Sequence, residues 1–416
     1  MSKEILADVA CNRTRVGLLE DGHLVEYYIE TGDIEKSRGN IYKGRVANVL
    51  PGMQAAFVDI GFDKNAFLYV SDVNFHEDEF DSFKKSPIEA MLKKGQEILV
   101  QVTKEAVGTK GARVSTNISL PGRYTVLLPG INCVGVSRKI EDENERRRLR
   151  AAVEEVKPHE MGIIARTAAE NKNEEEIRAD VKYLEVIWSE IEKKQRNIEA
   201  PALIYKDMDL LSRVVRDMFT FEIDKFYINT QKGYEKVCKL SSAISSELKE
   251  RIIFYKDSRD IFEYFNATKE IEKALERRIW LKSGGYIIID YTEALAAIDV
   301  NTGKFVGHTS LEDTIFQTNL EAAKEIVKQL RLRDIGGIII IDFIDMQGTD
   351  HKAAVIDTLK NELKKDRTKT QVFGITNLGL VEMTRKKVCR SLYEVMEETC
   401  PKCHGKGRIQ LNFVDR

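Results

Sequence analysis

Two short apolar runs, AAIDVN at residues 296–301 and IIIIDFID at residues 338–345, decide the fold of this chain. Both runs are apolar until they reach acidic residues, a pattern that is typical of buried strands. Between them, apolar residues recur at helical spacing from Leu311 to about Arg333. The sequence therefore predicts a strand, a long helix and a second strand, with the acidic ends of the two strands close together.

Asp299, Asn301 and Asp342 follow the strand cores and are the candidate site residues. We expect both carboxylates to be buried, and a buried carboxylate without a partner is strongly unfavourable or loses its charge. A hard divalent cation removes this penalty, and two carboxylates with an amide oxygen suit Mg²⁺ or Mn²⁺. Such an ion completes its shell with water and substrate phosphate, so the pattern predicts a metal-assisted phosphodiester hydrolase.

One simpler interpretation stays open, and another fails on spacing. An acidic residue at a strand end is often only the first residue of a solvated turn. A calcium-binding loop is the alternative that fails. In such a loop beginning at Asp299, the glycine would stand one position after Gly303. A bidentate glutamate would stand at position 310, where this sequence has Ser310.

Three segments resemble those of the ribonuclease E/G family of endoribonucleases, and the likeness covers nearly the whole chain. They are AAIDVNTGKF at 296–305, TNLEAAKEIVKQLRLRDIGGIIIIDFIDM at 318–346 and CPKCHGKG at 400–407. By this resemblance, Asp299 and Asp342 match the magnesium-binding aspartates of the family. Asn301 matches the asparagine that orients the attacking water or the scissile phosphate.

Length and composition set the outer limits. A chain of 416 residues predicts roughly two to four domains, and a net charge of -2 gives no overall basic signature. A nucleic-acid partner must therefore depend on local patches. Six scattered cysteines with one close pair fit a reducing cytosol. The start of the chain shows no signal peptide, and no apolar run approaches the ~20 residues of a membrane span. We expect a cytoplasmic protein without a membrane segment.

Residues 1–35 alternate apolar and polar residues as three short strands. A piece this small cannot bury its own face, so we expect it to pair with a later part of the chain. The resemblance implies that residues 1–35 join residues 213–275 in an RNase H-like domain that lacks that enzyme's activity.

Residues 36–118 contain about five short strands with glycines at the turns, which predicts an OB-fold barrel. Such barrels bind single strands by stacking bases on aromatic rings beside a basic groove. The candidate RNA-binding residues are Phe57, Phe67, Lys43, Lys104 and Lys110. A lone phenylalanine is more often part of a core, but the resemblance places Phe57, Phe67 and Lys110 at RNA-contacting positions.

Residues 119–212 carry strands and charged helices, with Arg166 and Thr167 at a strand end. A guanidinium beside a hydroxyl can grip a phosphate in forked fashion, although a surface arginine beside a strand-terminal threonine is the simpler explanation. By the resemblance, these two residues match the pocket that senses a 5′-monophosphate, and Gly122 and Val126 match its other wall.

Residues 276–396 hold the candidate metal site in an alternating α/β pattern, and the resemblance implies a DNase I-like catalytic domain. Arg331 and Arg333 are among the basic residues that are candidates for phosphate contacts, although each taken alone is more typical of a solvated surface charge. The run from Met383 to Met396, which includes Cys389, is predicted to be helical.

Residues 397–416 are predicted to form a knuckle, because Cys400 and Cys403 have metal-ligand spacing and are followed by glycines. Two thiolates are about half of what structural zinc requires. A second copy of the chain is the economical source of the others, with His404 and Cys389 as the intrachain alternative. Attachment of haem would require export, which nothing in the sequence suggests. In the family, one zinc is shared between protomers in this way. Its members also continue into a small domain, whereas this sequence ends at Arg416.

The leading prediction is an α+β multidomain protein with an RNase H-like domain, an inserted OB-fold barrel and 5′-sensor domain, a DNase I-like catalytic domain and a zinc-link. We expect an Mg²⁺-dependent endoribonuclease that cuts single-stranded, A/U-rich RNA in rRNA and mRNA processing and decay, favours 5′-monophosphorylated substrates, and forms a homodimer through shared Zn²⁺ or a higher oligomer. The alternatives are an RNA-binding module without catalysis and a metal-dependent phosphatase or DNase.

Overall fold

The computed structural model describes residues 2–32, 37–73, 87–106, 110–242, 244–303, 311–387, 390–405 and 407–409. The chain divides into two compact units, and the second is inserted into the first. One unit comprises Met1–Gly32 and Phe219–Arg416, and the other comprises Asp33–Met218. Of the helices in the described ranges, none combines the length and the apolar character that a membrane crossing needs.

The first sheet of the split unit combines strands from both sequence segments that make up this unit. Its strands, in chain order, are β1 (Lys3–Val9), β2 (Arg13–Glu20), β3 (His23–Thr31), β14 (Lys225–Ile228) and β15 (Ile252–Phe254). They lie in the order β15-β14-β1-β2-β3, and β1 runs parallel to β14 with Ile5 opposite Phe226. The prediction that the first strands pair with a later part of the chain is confirmed. The accompanying helices are α5 (Gln231–Ser242), α6 (Ser246–Glu250), α7 (Ile261–Tyr264) and α8 (Ala267–Leu275).

The second sheet of this unit carries the apolar runs at residues 296–301 and 338–345. Its strands are β16 (Arg278–Trp280), β17 (Tyr286–Tyr291), β18 (Leu295–Asn301), β19 (Gly337–Asp342), β20 (Thr370–Ile375) and β21 (Val381–Arg385), in the order β16-β17-β18-β19-β21-β20. Helices α9 (Leu311–Leu332) and α10 (Thr349–Leu363) pack against one face through a continuous apolar core. The predicted order of strand, long helix and strand is confirmed as β18, α9 and β19.

The segment predicted as a helix from Met383 to Met396 has a different structure. Val381, Met383 and Arg385 are buried alternately with exposed or half-buried neighbours, and Met383 lies opposite Ile339 of β19. This period-two alternation makes a strand, and the helix α11 begins only at Leu392 (Leu392–Met396). Cys389 lies outside the described residues.

The predicted phosphate contacts of Arg331 and Arg333 are also wrong. Both side chains are buried at the end of α9. Arg331 donates to Glu20 and Glu26 in the first sheet, and Arg333 donates to Gln329 and to the carbonyl of Glu276. Their charge therefore fixes α9 within the unit and is not available to a ligand.

The inserted unit contains a closed barrel, as the glycine-punctuated strands predict. Its five strands are β4 (Ile41–Leu50), β5 (Ala55–Asp59), β6 (Ala66–Tyr69), β7 (Glu97–Lys104) and β8 (Arg113–Ser115). The barrel closes because β4 pairs with β7 as well as with β5. Helix α1 (Ile88–Met91) lies beside it, and β13 (Ala202–Tyr205) adds to the edge of β4.

The rest of the inserted unit is a small sheet with helices. The strands β9 (Leu120–Pro121), β10 (Thr125–Pro129), β11 (Val134–Val136) and β12 (Met161–Ala165) lie in the order β11-β12-β10-β9. The helices are α2 (Glu143–Val156), α3 (Glu174–Asn197) and α4 (Leu210–Asp217). Asn173 and Glu176 form a capping box at the start of α3, and the face of α3 that includes Val181 packs on Leu127 and Ile163 in the sheet.

Candidate active site

Asp299 and Asp342 lie directly opposite each other in the parallel pair formed by β18 and β19. Residues that are opposite in a parallel ladder point to the same face, and neighbouring strands lie about 4.8 Å apart. The two carboxylates, which are 43 residues apart in sequence, are therefore neighbours on one face of the sheet. This placement agrees with the expectation that the acidic strand ends come together.

The expectation that these carboxylates are buried is wrong. Ile298, Val300 and Ile341 occupy the covered face, while Asp299 and Asp342 project from the other face and are exposed. Partial desolvation raises the pKa of Asp342, and the negative charges of Asp299 and Asp345 raise it further. Repulsion between the clustered carboxylates thus favours a cation, because a positive ion between them would relieve that repulsion.

Asn301 belongs to the same group of side chains. Its Nδ2 donates a hydrogen bond to Oδ2 of Asp299, at 2.8 Å. The backbone beside it is crowded, since a Cβ on Gly285 would lie 2.8 Å from the carbonyl oxygen of Asn301 and 3.0 Å from Cγ2 of Thr318. Glycine at position 285 thus allows the close approach that sets the position of Asn301.

A divalent cation fits the donor set that these residues present. Two adjacent carboxylates and an amide oxygen are hard ligands, and Mg²⁺ is commonly bound by one or two carboxylates with water and phosphate completing its shell. In the described ranges, no group of three or more histidine, cysteine, aspartate or glutamate side chains is placed to hold a metal ion. A cation at Asp299 and Asp342 would accordingly depend on water and substrate for its other ligands.

Asn319 is a site residue that the sequence analysis missed. It is fully buried in α9, and its side chain bonds both backbone groups of Ile344, two residues beyond Asp342. The one sequence signal was an asparagine on the apolar face of a predicted helix. That signal shows a buried polar group but does not identify its partner.

The predicted aromatic residues of the barrel form a pair. Phe57 and Phe67 lie opposite each other on β5 and β6, with their ring centroids 5.9 Å apart, and both are half-buried. Tyr69, which the sequence analysis missed, extends the row because its ring stacks beside Phe67 at 6.5 Å. Its signal was the period of two from Phe67 along one strand.

The lysines of the barrel differ in their surroundings. Lys104, at the end of β7, and Lys110 are both exposed, as RNA-binding residues need to be. Lys43 forms an ion pair with Glu97 at 3.0 Å, and its ammonium also donates to the carbonyls of Gln195 and Ile198. Its ammonium is therefore engaged within the unit, in contrast to those of Lys104 and Lys110.

The candidate sensor residues lie around one end of the small sheet. Arg166 follows β12, and its guanidinium donates to the carbonyl of Gly122 and pairs with Asp217 at 2.8 Å. Thr167 is exposed next to it, and its hydroxyl lies 3.1 Å from that of Ser137. Val126 is on β10, whose residues pair with those of β12. The structure thus brings Arg166 and Gly122 into contact, with Thr167 beside them.

A carboxylate already occupies the turn that begins β10. Asp180 accepts hydrogen bonds from the backbone N–H groups of Arg123, Tyr124 and Thr125. A Cβ on Gly122 would displace this carboxylate from the N–H groups that hold it. The Asp180 carboxylate thus fixes the backbone of this turn, and with it the Gly122 carbonyl to which Arg166 donates.

The knuckle offers two thiols within the part of the chain that the structure describes. Cys400 is exposed and Cys403 is half-buried. Hydrogen bonds from the backbone N–H groups of Cys403 and Lys402 lower the pKa of Cys400, which favours the thiolate that a metal needs. The backbone N–H of His404 donates to the carbonyl of Cys400 at 2.8 Å and so closes the turn.

Comparisons with known proteins give a consistent result. Residues 119–388 match the model of the Ribonuclease E/G family. The chain is 45% identical to Ribonuclease G of Escherichia coli (strain K12), an alignment that covers 99% of this chain and 85% of that protein. It is also 45% identical to Ribonuclease G of Haemophilus influenzae, covering 98% of this chain and 84% of that protein. Ribonuclease E of Nostoc sp. is 39% identical over 98% of this chain and 59% of its own length.

Proposed function

The chain belongs to the ribonuclease E/G family, and we propose that Asp299, Asn301 and Asp342 form the centre at which it cuts RNA. The relatives that it matches over nearly its whole length are named as ribonucleases G and E, so the chain is an endoribonuclease that acts in RNA processing. The observation that carries the proposal is the register of β18 and β19, which sets the two carboxylates side by side next to Asn301.

The chemistry follows from these side chains. Asp299 and Asp342 would hold one Mg²⁺, which when bound lowers the pKa of water and stabilises negative charge on phosphate. Asn301 holds the Asp299 carboxylate in one orientation through its amide and orients the attacking water or the scissile phosphate. The water oxygen adds to phosphorus, the P–O3′ bond breaks and the 3′ oxygen takes up a proton. The products carry 5′-phosphate and 3′-hydroxyl ends.

The barrel supplies binding to single-stranded, A/U-rich RNA. Phe57 and Phe67 offer adjacent ring faces for bases, and exposed Lys104 and Lys110 supply charge for the backbone. Arg166 and Thr167, with Gly122 and Val126, would read a 5′-monophosphate and favour processed substrates. Arg166 supports this role because it already binds a carboxylate, Asp217, in a partly exposed position.

The finer architecture is part of the same proposal. The split unit would comprise an RNase H-like domain and a DNase I-like catalytic domain, and residues 397–416 would form a zinc-link that joins two protomers. The substrates would be ribosomal and messenger RNA in the cytoplasm, where scattered free thiols stay reduced.

Replacement of one carboxylate tests the proposal directly. Asp299→Asn should abolish cleavage of a single-stranded RNA in Mg²⁺ while its binding to the same RNA persists. Glu272→Gln is a matched control, because Glu272 is an exposed carboxylate on α8 of the same unit, outside the sheet that carries the site, and should leave the rate unchanged. An active Asp299→Asn enzyme would refute the assignment of the centre.

Two further assays separate the alternatives. Cleavage that stops in EDTA and returns with Mg²⁺ distinguishes an enzyme from a module that only binds RNA. Competition between RNA and DNA oligonucleotides of one sequence distinguishes a ribonuclease from a DNase or phosphatase, because an RNA enzyme reads the 2′-hydroxyl or the shape of the RNA backbone.

A further inference from the structure

Three side chains at the edge of the second sheet form a cluster that we call the edge platform: Arg278 and Trp280 on β16 and Tyr286 on β17. Trp280 lies directly opposite Tyr286, with ring centroids 5.3 Å apart and planes inclined by 64°. The guanidinium carbon of Arg278 lies 4.6 Å from the centroid of the Tyr286 ring. Trp280 is 61% exposed, which is unusual for so large an apolar side chain.

The edge platform lies on the same face of the sheet as the candidate active site. Tyr286 is directly opposite Asn301, whose amide is bonded to Asp299. Opposite residues in a ladder share a face, so one row of side chains crosses from Trp280 through Tyr286 and Asn301 towards Asp342. With strands about 4.8 Å apart, a base next to the scissile phosphate is close enough to reach the rings.

The turn between β16 and β17 holds the edge platform in place. The backbone N–H of Leu281 donates to the carbonyl of Gly285 at 2.8 Å. Glu321 of α9 accepts hydrogen bonds from the backbone N–H groups of Lys282, at 2.6 Å, and Ser283, at 3.1 Å. The rings are therefore presented by a turn that is fixed before any ligand binds, which reduces the ordering that binding requires.

The charge at the edge platform favours a polyanion. Arg277 pairs with Asp290 at 2.5 Å. Its neighbour Arg278 has no carboxylate within ion-pair distance among the described residues, and it lies over the rings. An exposed tryptophan, a tyrosine and an arginine are the side chains on which the bases of single strands stack, and such stacking accepts any base because every base has a π face.

We propose that Arg278, Trp280 and Tyr286 form a base-stacking subsite for the RNA strand whose phosphate enters the Asp299–Asp342 centre. The subsite rests on the proposed function, since it takes the same substrate. It positions the nucleotide next to the cut, and it accepts A and U without distinguishing them.

The sequence supplies a spectroscopic test, because it contains only two tryptophans, Trp188 and Trp280. Trp188→Phe leaves Trp280 as the single indole. With Asp299→Asn added, which prevents turnover without a chelator, a single-stranded A/U oligonucleotide should quench the fluorescence of this variant at the same concentrations at which anisotropy of a labelled strand reports binding. Binding by anisotropy with unchanged Trp280 fluorescence would overturn the subsite.

Kinetics give a second test in the otherwise unaltered chain. Trp280→Ala should raise KM for a short single-stranded RNA by about tenfold and lower kcat less, and Trp280→Phe should restore most of the loss. Phe373→Ala is the matched control, because Phe373 is 59% exposed on β20, the other edge strand of the same sheet. Its KM should not change.

The outcomes are separable. If Trp280→Ala cleaves RNA like the parent while Asp299→Asn does not, the subsite is wrong and the proposed function stands. If both variants cleave normally, the proposed function is wrong as well. If Trp280→Ala instead changes the sedimentation of the RNA-free protein and leaves KM unchanged, the edge platform contacts a second copy of the chain. If that variant does not fold, the fluorescence titration still decides.

Discussion

The side chain of Asn319 makes two hydrogen bonds to the backbone of Ile344. Its Nδ2 donates to the Ile344 carbonyl at 2.8 Å, and its Oδ1 accepts from the Ile344 N–H at 3.1 Å. Asn319 lies fully buried on α9, and Ile344 follows Asp342 by two residues. The pair therefore ties α9 to the loop that leaves β19, between Asp342 and Asp345.

Asn319→Ala should lower kcat strongly while KM for RNA changes little. The substitution removes the hydrogen-bond partner of both backbone groups of half-buried Ile344, and each lost hydrogen bond is worth about 0.5–1.5 kcal/mol. The loop that carries on from Asp342 would then lose its fixed position, and catalysis depends on position more steeply than binding does. Steady-state cleavage assays separate the two parameters, and urea unfolding gives the loss of stability.

Thr358→Ala is the control for Asn319. The Thr358 hydroxyl donates only within α10, to the carbonyl of Ala354 at 2.8 Å. This change should leave kcat unaltered. A folded Asn319→Ala enzyme with normal kcat would show that the hydrogen bonds between Asn319 and Ile344 have no part in positioning the active site.

The contrast between Asp342 and Asn319 shows what a sequence can reveal about this site. Asp299 and Asp342 could be found because each closes an apolar run, and a strand end is a local feature. Asn319 could not be assigned a role, since its partner lies 25 residues away and only the folded contact between α9 and the loop identifies it. Tyr69, Trp280 and Tyr286 were missed for the same reason, because their function depends on neighbours across strands.

The errors have equally specific causes. A sequence shows which strand residues are apolar but not which face the helices cover, so it does not reveal that both carboxylates are exposed. The sequence predicts a helix at Met383 because the period of two over residues 381–385 is too short to stand out from the helical run that follows. The burial of Arg331 cannot be deduced from its neighbours in sequence, because its partners Glu20 and Glu26 lie about 300 residues earlier.

Arg331→Met should destabilise the protein by about 3–5 kcal/mol, because it leaves two buried carboxylates without their counter-charge. The guanidinium lies 2.9 Å from Glu20 and 2.8 Å from Glu26, and all three side chains are at most 10% exposed. The triple change Arg331→Met, Glu20→Gln and Glu26→Gln should recover much of the loss, since no charge then remains buried. Chemical unfolding monitored by circular dichroism gives the free energy of unfolding of the single and the triple variant. An equal loss of stability in the two variants would contradict the ionic explanation.

Arg166→Ala should narrow the difference in cleavage rate between 5′-monophosphorylated and 5′-triphosphorylated forms of one RNA. The guanidinium is held by the Gly122 carbonyl and Asp217, so it is oriented before a phosphate arrives. Burial alone would raise the pKa of Asp217, but the hydrogen bond from Arg216 and the charges of Arg216 and Arg166 outweigh it and lower the pKa. Asp217 thus stays ionised at neutral pH and keeps Arg166 in place.

The control for Arg166 is Arg178→Ala. Arg178 lies on α3 of the same unit and pairs with Glu174 and Glu155 at the surface. Its removal should leave the preference for the 5′ end intact. If Arg166→Ala retains the full preference, the pocket does not sense the 5′ end.

Removal of zinc should convert dimers of this chain to monomers. Structural zinc takes about four ligands, and within the described residues one chain offers the two thiols of Cys400 and Cys403 at the knuckle. A shared ion therefore needs the knuckles of two chains, and Cys403→Ser should give the same monomer as a chelator. Analytical ultracentrifugation with and without chelator measures the mass, and zinc analysis should give one ion per two chains. His404→Ala and Cys389→Ser are the controls. Neither residue is a ligand of a site formed by Cys400 and Cys403 of two chains, so both variants should keep the mass of the dimer. One ion per chain, or loss of zinc in either control, would instead place all the ligands within one chain.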